Sequence, residues 1–291
     1  MAEPVSVTSL RSARRFDWKN LGLRAASAAV LVPAVVGAIF VGWLFLVMIA
    51  VSVALLAIEW AAMTAPGSIV RLATTVTVVV LIALFFAYRD QFELAWAAAA
   101  IGALLAALVA RGITERAYDA ALGVLYIAAP CVALTWLRAM PNPIFWTVLL
   151  FAVTWSTDIC AYFVGTWMEG PKLWPRLSPN KTWSGLAGGL LGAMGAAMAT
   201  AYFPTIKLSF LGHISTAKVT LPVAAAIGLA AGVATVAGDL WESALKRRYG
   251  VKDTGDLIPG HGGLLDRVDG LMFSVLAIAG ARLLYHPGWS L

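Results

Sequence analysis

Asp239, Glu242 and Lys246 stand at i, i+3 and i+7 at the end of one apolar run, and Asp266 and Asp269 stand at i and i+3 at the start of the next. On helices those spacings put each set on one face. Two acidic faces meeting across a single loop repel one another unless cations lie between them, and clustered carboxylate oxygens are hard ligands that suit Mg²⁺. Asp158 falls inside a further apolar run and Glu59 near the end of another. An acid at the centre of a membrane helix costs about 2.5 to 3.5 kcal/mol on insertion scales, so it persists only where something compensates it. For Glu59 the plain alternative is an acid that satisfies a helix macrodipole. The loop between the two acidic faces contains Pro259-Gly260-His261-Gly262-Gly263, glycine-rich enough for backbone N–H groups to approach a phosphate closely. His261 can act as an acid or as a hydrogen-bonding support.

The elements that carry these residues must be membrane helices. Of 291 residues, 61% are hydrophobic and 12% charged, and the mean hydropathy is +0.84, values that no soluble globular class matches. A bilayer core needs roughly 20 apolar residues per helical span, which leaves room for about nine spans and predicts an all-α, polytopic bundle. Near-continuous apolar stretches such as Ala28 to Ile58 exclude the alternation of a β-barrel. The spans are predicted at Leu21–Val41, Trp43–Met63, Ile69–Tyr88, Phe92–Ala110, Ala117–Leu137, Ile144–Gly165, Trp183–Phe203, Val219–Trp241 and Val268–Tyr285. The basic N-terminal segment superficially resembles a secretory signal, but its apolar run is too long, so it is read as a retained first span. Residues 1–140 form the N-terminal set of spans and 141–291 the set that carries the chemistry. Lys and Arg concentrate on one side of this model, which predicts a multi-pass protein of the cell inner membrane with its N-terminus and its acidic cluster on the cytoplasmic face. The basic balance then reads as orientation and attraction to anionic lipid, with nucleic acid not expected as a partner. Cys131 and Cys160 lie in apolar stretches and imply neither a disulfide framework nor a zinc site. Gly185, Gly188, Gly189 and Gly192 make two small-xxx-small pairs, suited to close approach of another helix of the chain or of a second copy in a homodimer.

The stretch from Gly238 to Asp269 contains Ser243, Lys246-Arg247, Lys252-Asp253, Pro259-Gly260-His261-Gly262-Gly263 and Asp266-Arg267-Val268-Asp269. In that order it resembles the signature of the phosphatidate cytidylyltransferase (CDP-diacylglycerol synthase) family. A second block, Asp158, Ala161-Tyr162 and then Ser178-Pro179-Asn180-Lys181-Thr182, is similar to that family's other polar segment. Two positions depart from the pattern: Ser184 stands where a Glu is common and Gly270 where many members have Ser. The resemblance covers roughly the C-terminal half. It implies transfer of a cytidylyl group from CTP to phosphatidate, with Mg²⁺ and a two-cation centre. Both reactants are anions, so charge neutralisation and in-line positioning matter more than a strong base. On that footing Asp239 and Asp266 are assigned as the principal Mg²⁺ ligands, with Asp269 as a further ligand or a supporting acceptor. Lys246, Arg247, Lys252 and Arg267 are candidates to hold phosphates, and Lys181 with Ser178 and Thr182 to hold the triphosphate or the lipid head. Ser243 can donate a hydrogen bond near the metal. A lipid groove is expected near Asp158 and Tyr162. The competing readings are a CTP-dependent polyprenol or phytol kinase and an ion-coupled transporter, although no internal repeat supports transport. The Gly165 to Gly170 spacing lacks the Lys-Ser/Thr of a P-loop, and there is no dinucleotide fingerprint.

Overall fold

The structure is a computed structural model and describes residues 29–30, 32–112, 116–202, 219–255, 257 and 262–284. A helical segment at residues 32–40 (α1) is followed by α2 (Gly42–Thr64), α3 (Ile69–Tyr88), α4 (Phe92–Val109), α5 (Ala117–Ala139) and α6 (Pro143–Met168). A short hairpin of β1 (Lys172–Trp174) and β2 (Ser178–Thr182) leads to α7 (Trp183–Tyr202), α8 (Leu221–Arg248) and α9 (Leu265–Leu284). The helices α2 to α8 are each long and apolar enough to cross a membrane. Side chains that a soluble protein would bury stand outward on them, among them Val70, Leu104, Phe163 and Leu191, each more than 60% exposed. A membrane protein presents such a surface to lipid. The first predicted span begins outside the described residues. Although α9 has 20 residues, Asp266, Arg267 and Asp269 in its first turns keep it out of that set, so the described residues hold seven such helices where about nine spans are predicted.

Buried hydroxyls are satisfied within the helices. Thr64, Thr135, Thr147, Thr154, Thr157 and Thr235 each donate to the carbonyl four residues back, as a polar group must where no water is present. Pro143 and Pro222 stand in the first turns of α6 and α8, where a missing N–H costs nothing.

Two predicted boundaries shift in ways that matter. The eighth span, predicted to stop at Trp241, continues to Arg248, because Lys246, Arg247 and Arg248 complement the negative end of the helix. The ninth begins at Leu265, not Val268, so Asp266 lies in its first turn, where a carboxylate is favoured. The segment between α6 and α7, predicted as a loop, forms the antiparallel hairpin, pairing Lys172 with Thr182 and Trp174 with Ser178.

The glycine face of α7 packs within the chain, against α6. A Cβ on Gly185 would lie 2.9 Å from the Ala161 carbonyl oxygen, one on Gly189 2.9 Å from that of Thr157, and one on Gly192 2.6 Å from Cys160 Sγ. From α8, Gly228 and Gly232 meet Ala193 on the next turns of α7. Such spacing binds α6, α7 and α8 into a tight triple at the centre of the C-terminal half. The first apolar cluster is built mainly on α2 to α5 but also takes in Phe151, Leu245, Leu265 and Met272, so the later helices are seated on the earlier ones. Arg248 strengthens that seat: it pairs with Asp119 at 2.6 Å and donates to the Tyr118 hydroxyl at 2.7 Å, while Trp60 Nε1 donates to the Asp119 carbonyl at 3.0 Å.

Candidate active site

Asp158 near the end of α6, Lys181 of the hairpin, Asp239 and Lys246 toward the end of α8 and Asp266 at the start of α9 line one recess, so these parts share one end of the bundle. There the α8–α9 pair is drawn together by glycine. A Cβ on Gly238 would lie 2.5 Å from the Asp269 carbonyl oxygen, and one on Gly270 2.7 Å from Thr235 Cγ2 and 2.8 Å from Asp239 Oδ1. Gly270 thus brings Asp239 against α9, where any side chain would need space made for it.

Around that contact is a recess of about 460 Å³ lined by Asp158 of α6, Lys181 of β2, Asp239, Glu242, Ser243 and Lys246 of α8, Asp253, and Asp266, Arg267 and Asp269 at α9. Six acids and three cations from five stretches of chain therefore face one space. Lys181 pairs with Asp239. Lys246 bridges two acids, 2.6 Å from Glu242 and 2.7 Å from Asp266. Glu242 is 2% exposed, and its second oxygen, Oε1, is buried with no hydrogen-bond partner. Asp266 Oδ2 accepts from the backbone N–H of Thr254 (3.1 Å) and Gly263 (3.1 Å) and from the Thr254 hydroxyl (3.0 Å). Asp269 Oδ1 accepts from the N–H of Gly270 at 2.8 Å.

These donors fit a hard divalent cation: they are carboxylate oxygens, in excess over the cations beside them, and one is a buried acceptor without a donor. Among the described residues no three acids converge into a ready-made cage. The two carboxylates assigned as principal ligands, Asp239 and Asp266, each hold a lysine ammonium group.

A larger cavity of about 840 Å³ adjoins the recess and shares Asp158, Lys181 and Asp239 with it. It runs along α6 past Ala161, Tyr162 and Gly165, under the hairpin at Asn180 and Thr182, to Glu169 and Gly170. This is where the sequence predicts a groove, and Tyr162 is 69% exposed beside it. Thr182, buried, accepts from the N–H of Gly185 at 3.0 Å and so starts α7 at a fixed place. Ser184 donates to the Glu169 carbonyl oxygen and lies 3.1 Å from the Thr182 hydroxyl, tying the end of α6 to the start of α7.

Not every predicted residue arrives. Ser178, Arg247 and Lys252 line neither cavity. Arg247 follows Lys246 on a helix, where successive side chains point about 100° apart, so Lys246 faces inward and Arg247 is exposed. Ser178 and Lys181 are three residues apart on a strand, a spacing that sends side chains to opposite faces. Lys252 is exposed beyond the turn that ends α8. His261, Pro259 and Gly260 lie outside the described residues, as do His213 and His286. The described part of the glycine loop departs from the expected phosphate cradle: the N–H groups of Gly263, Leu264 and Leu265 donate to the carboxylates of Asp266 and Glu59. Sequence reasoning passed over Thr254 and left Glu59 as a helix-end acid. The signal for Glu59 was present, since an acid in an otherwise apolar span needs a partner.

Over residues 22–283 the chain matches the profile of the cytidylyltransferase family. The chain belongs to the cytidylyltransferase family. Among curated members, the phosphatidate cytidylyltransferase of Brucella suis is 42% identical over 183 residues, 62% of this chain and 60% of that protein. That of Bacillus subtilis is 46% identical over 121 residues, 42% of this chain and 41% of the relative. That of Rickettsia bellii is 33% identical over 179 residues, 59% and 75% of the two chains. The matched part of this cytidylyltransferase-family chain thus spans about 60% of the length of the Brucella suis relative.

Proposed function

We propose that this chain transfers the cytidylyl group of CTP to phosphatidate at the cytoplasmic face of the inner membrane, releasing pyrophosphate and leaving CDP-diacylglycerol in the bilayer. The observation that carries this reading is the junction of two cavities at Asp158, Lys181 and Asp239, one smaller and ionic, the other larger and running along an apolar, outward-facing helix. An oxygen of the lipid phosphate attacks the α-phosphorus of CTP, and the bond from that phosphorus to the oxygen bridging to the β-phosphate breaks. The electron pair leaves with pyrophosphate. Lys181, Lys246 and Arg267 face the recess, where they neutralise the mutual repulsion of the phosphates and stabilise charge on the leaving group. Asp239, Asp266 and Asp269 would hold Mg²⁺, which would supply Lewis-acid polarisation of the phosphoryl oxygens. The cavity beside Tyr162 admits the lipid from the side, with its acyl chains left in the membrane.

Incubation of the purified protein with phosphatidate vesicles and CTP labelled at the α-phosphate is expected to move label into the lipid fraction, whereas label at the γ-phosphate leaves as pyrophosphate. Transfer of γ-label into lipid, with the α-label left soluble, would instead establish a lipid kinase. No transfer of either label would set aside both.

A further inference from the structure

We infer that Glu59, in α2 and outside the recess, is a positioning residue that sets Asp266 in place for a divalent cation. The inference rests on the proposed use of the recess, but its geometry is independent of which substrates enter. The Glu59 side chain is 2% exposed, and among the described residues no Lys or Arg forms an ion pair with it. Its partners all belong to the segment that leads into α9. Oε1 accepts the N–H of Leu264 at 2.6 Å, and Oε2 accepts the N–H of Leu265 at 2.7 Å and the Thr254 hydroxyl at 3.2 Å.

Residue 264 precedes a helix and would ordinarily cap it, but a leucine has no acceptor. Glu59 supplies the missing cap from another helix, 205 positions away in the chain, and its charge faces the positive end of α9. The Thr254 hydroxyl has two carboxylates within reach, Glu59 at 3.2 Å and Asp266 at 3.0 Å, so its one proton is shared between them in a three-centre contact that links the two side chains. Glycine is required for this closeness. A Cβ on Gly263 would lie 2.1 Å from Thr254 Oγ1 and within 3.0 Å of both Glu59 oxygens. Thr254 and Gly263 in turn hold Asp266 Oδ2, which leaves Oδ1 toward Lys246 and the recess. The height of Asp266 against Asp239 is therefore set by α2, and the N-terminal helices contribute to the site as well as to the bundle.

The test compares Glu59→Gln, Thr254→Val and Thr254→Ser in the full-length, detergent-purified protein. Mn²⁺ binding is measured by the electron paramagnetic resonance of the free ion without CTP, alongside label transfer and thermal melting. Glu59→Gln replaces one acceptor by an amide N–H₂ that meets backbone N–H groups. The variant is expected to weaken Mn²⁺ binding and lower turnover by about 10-fold to 100-fold, the usual cost of losing a residue that orients a ligand, with KM for CTP within about threefold of wild type. Thr254→Val should share the loss and Thr254→Ser should not. Wild-type Mn²⁺ affinity in folded Glu59→Gln overturns the inference. If Glu59→Gln does not fold, Thr254→Val decides in the same way, since its loss against retention in Thr254→Ser supports the inference and equal affinity overturns it. A wild-type protein that transfers no α-label would refute the proposed reaction, while the Mn²⁺ comparison would still judge Glu59.

Discussion

Asp266→Asn is expected to lower CTP-dependent transfer about a thousandfold, roughly 4 kcal/mol of transition-state stabilisation at 1.36 kcal/mol per decade. The loss comes from one oxygen. Oδ2 sits among three donors, two backbone N–H groups and the Thr254 hydroxyl, so the asparagine carbonyl oxygen will take that place. The amide N–H₂ is then turned toward Lys246, where Oδ1 had paired at 2.7 Å. Two donors face one another, and no anionic oxygen remains for a cation. Because the backbone contacts survive, the melting temperature in detergent should stay within a few degrees of wild type while label transfer is lost. Near wild-type transfer with Mg²⁺ would remove Asp266 from the ligand set.

Lys246→Met should affect both activity and stability. Lys246 lies between Glu242 and Asp266 and forms an ion pair with each. Methionine fills similar volume without charge, leaving Glu242, 2% exposed and already short of one partner, to face Asp266 across the gap. Breaking a buried pair by removing one member costs about 3 to 5 kcal/mol. Transfer should fall roughly 10²-fold to 10³-fold, the usual effect of deleting one preorganised donor to developing charge. Melting and label transfer measured on the same preparation separate the two effects. A variant as stable and as active as wild type would show that Lys246 neither balances the acids nor serves the phosphates.

Membrane helices are the most legible part of such a chain, because continuous apolarity over some 20 residues has few other meanings. Ile69–Tyr88 falls where it was expected. The boundaries that moved, at α8 and α9, lie where the apolar signal stops but charged residues continue the helix by complementing its ends. Apolarity alone cannot register such an extension. The site was legible where spacing and helix geometry coincide, as for Asp239, Glu242 and Lys246 on one face of α8. It was illegible where a residue acts across the fold. Nothing within α2 indicates that Glu59 caps α9, and nothing near Gly263 indicates that its missing side chain makes room for Thr254 and Glu59. Likewise, Lys246-Arg247 reads as a pair of phosphate ligands until the helix sends one of them outward.

Anomalous diffraction from crystals grown with Mn²⁺ is the most direct test of whether acids from separate helices hold a divalent ion in the recess between α6, α8 and α9. The predicted result is a peak within coordination distance of Asp239 and Asp266, in a protein that moves α-label into lipid. A fully active protein whose Mn²⁺ peak lies elsewhere, away from both carboxylates, would contradict it.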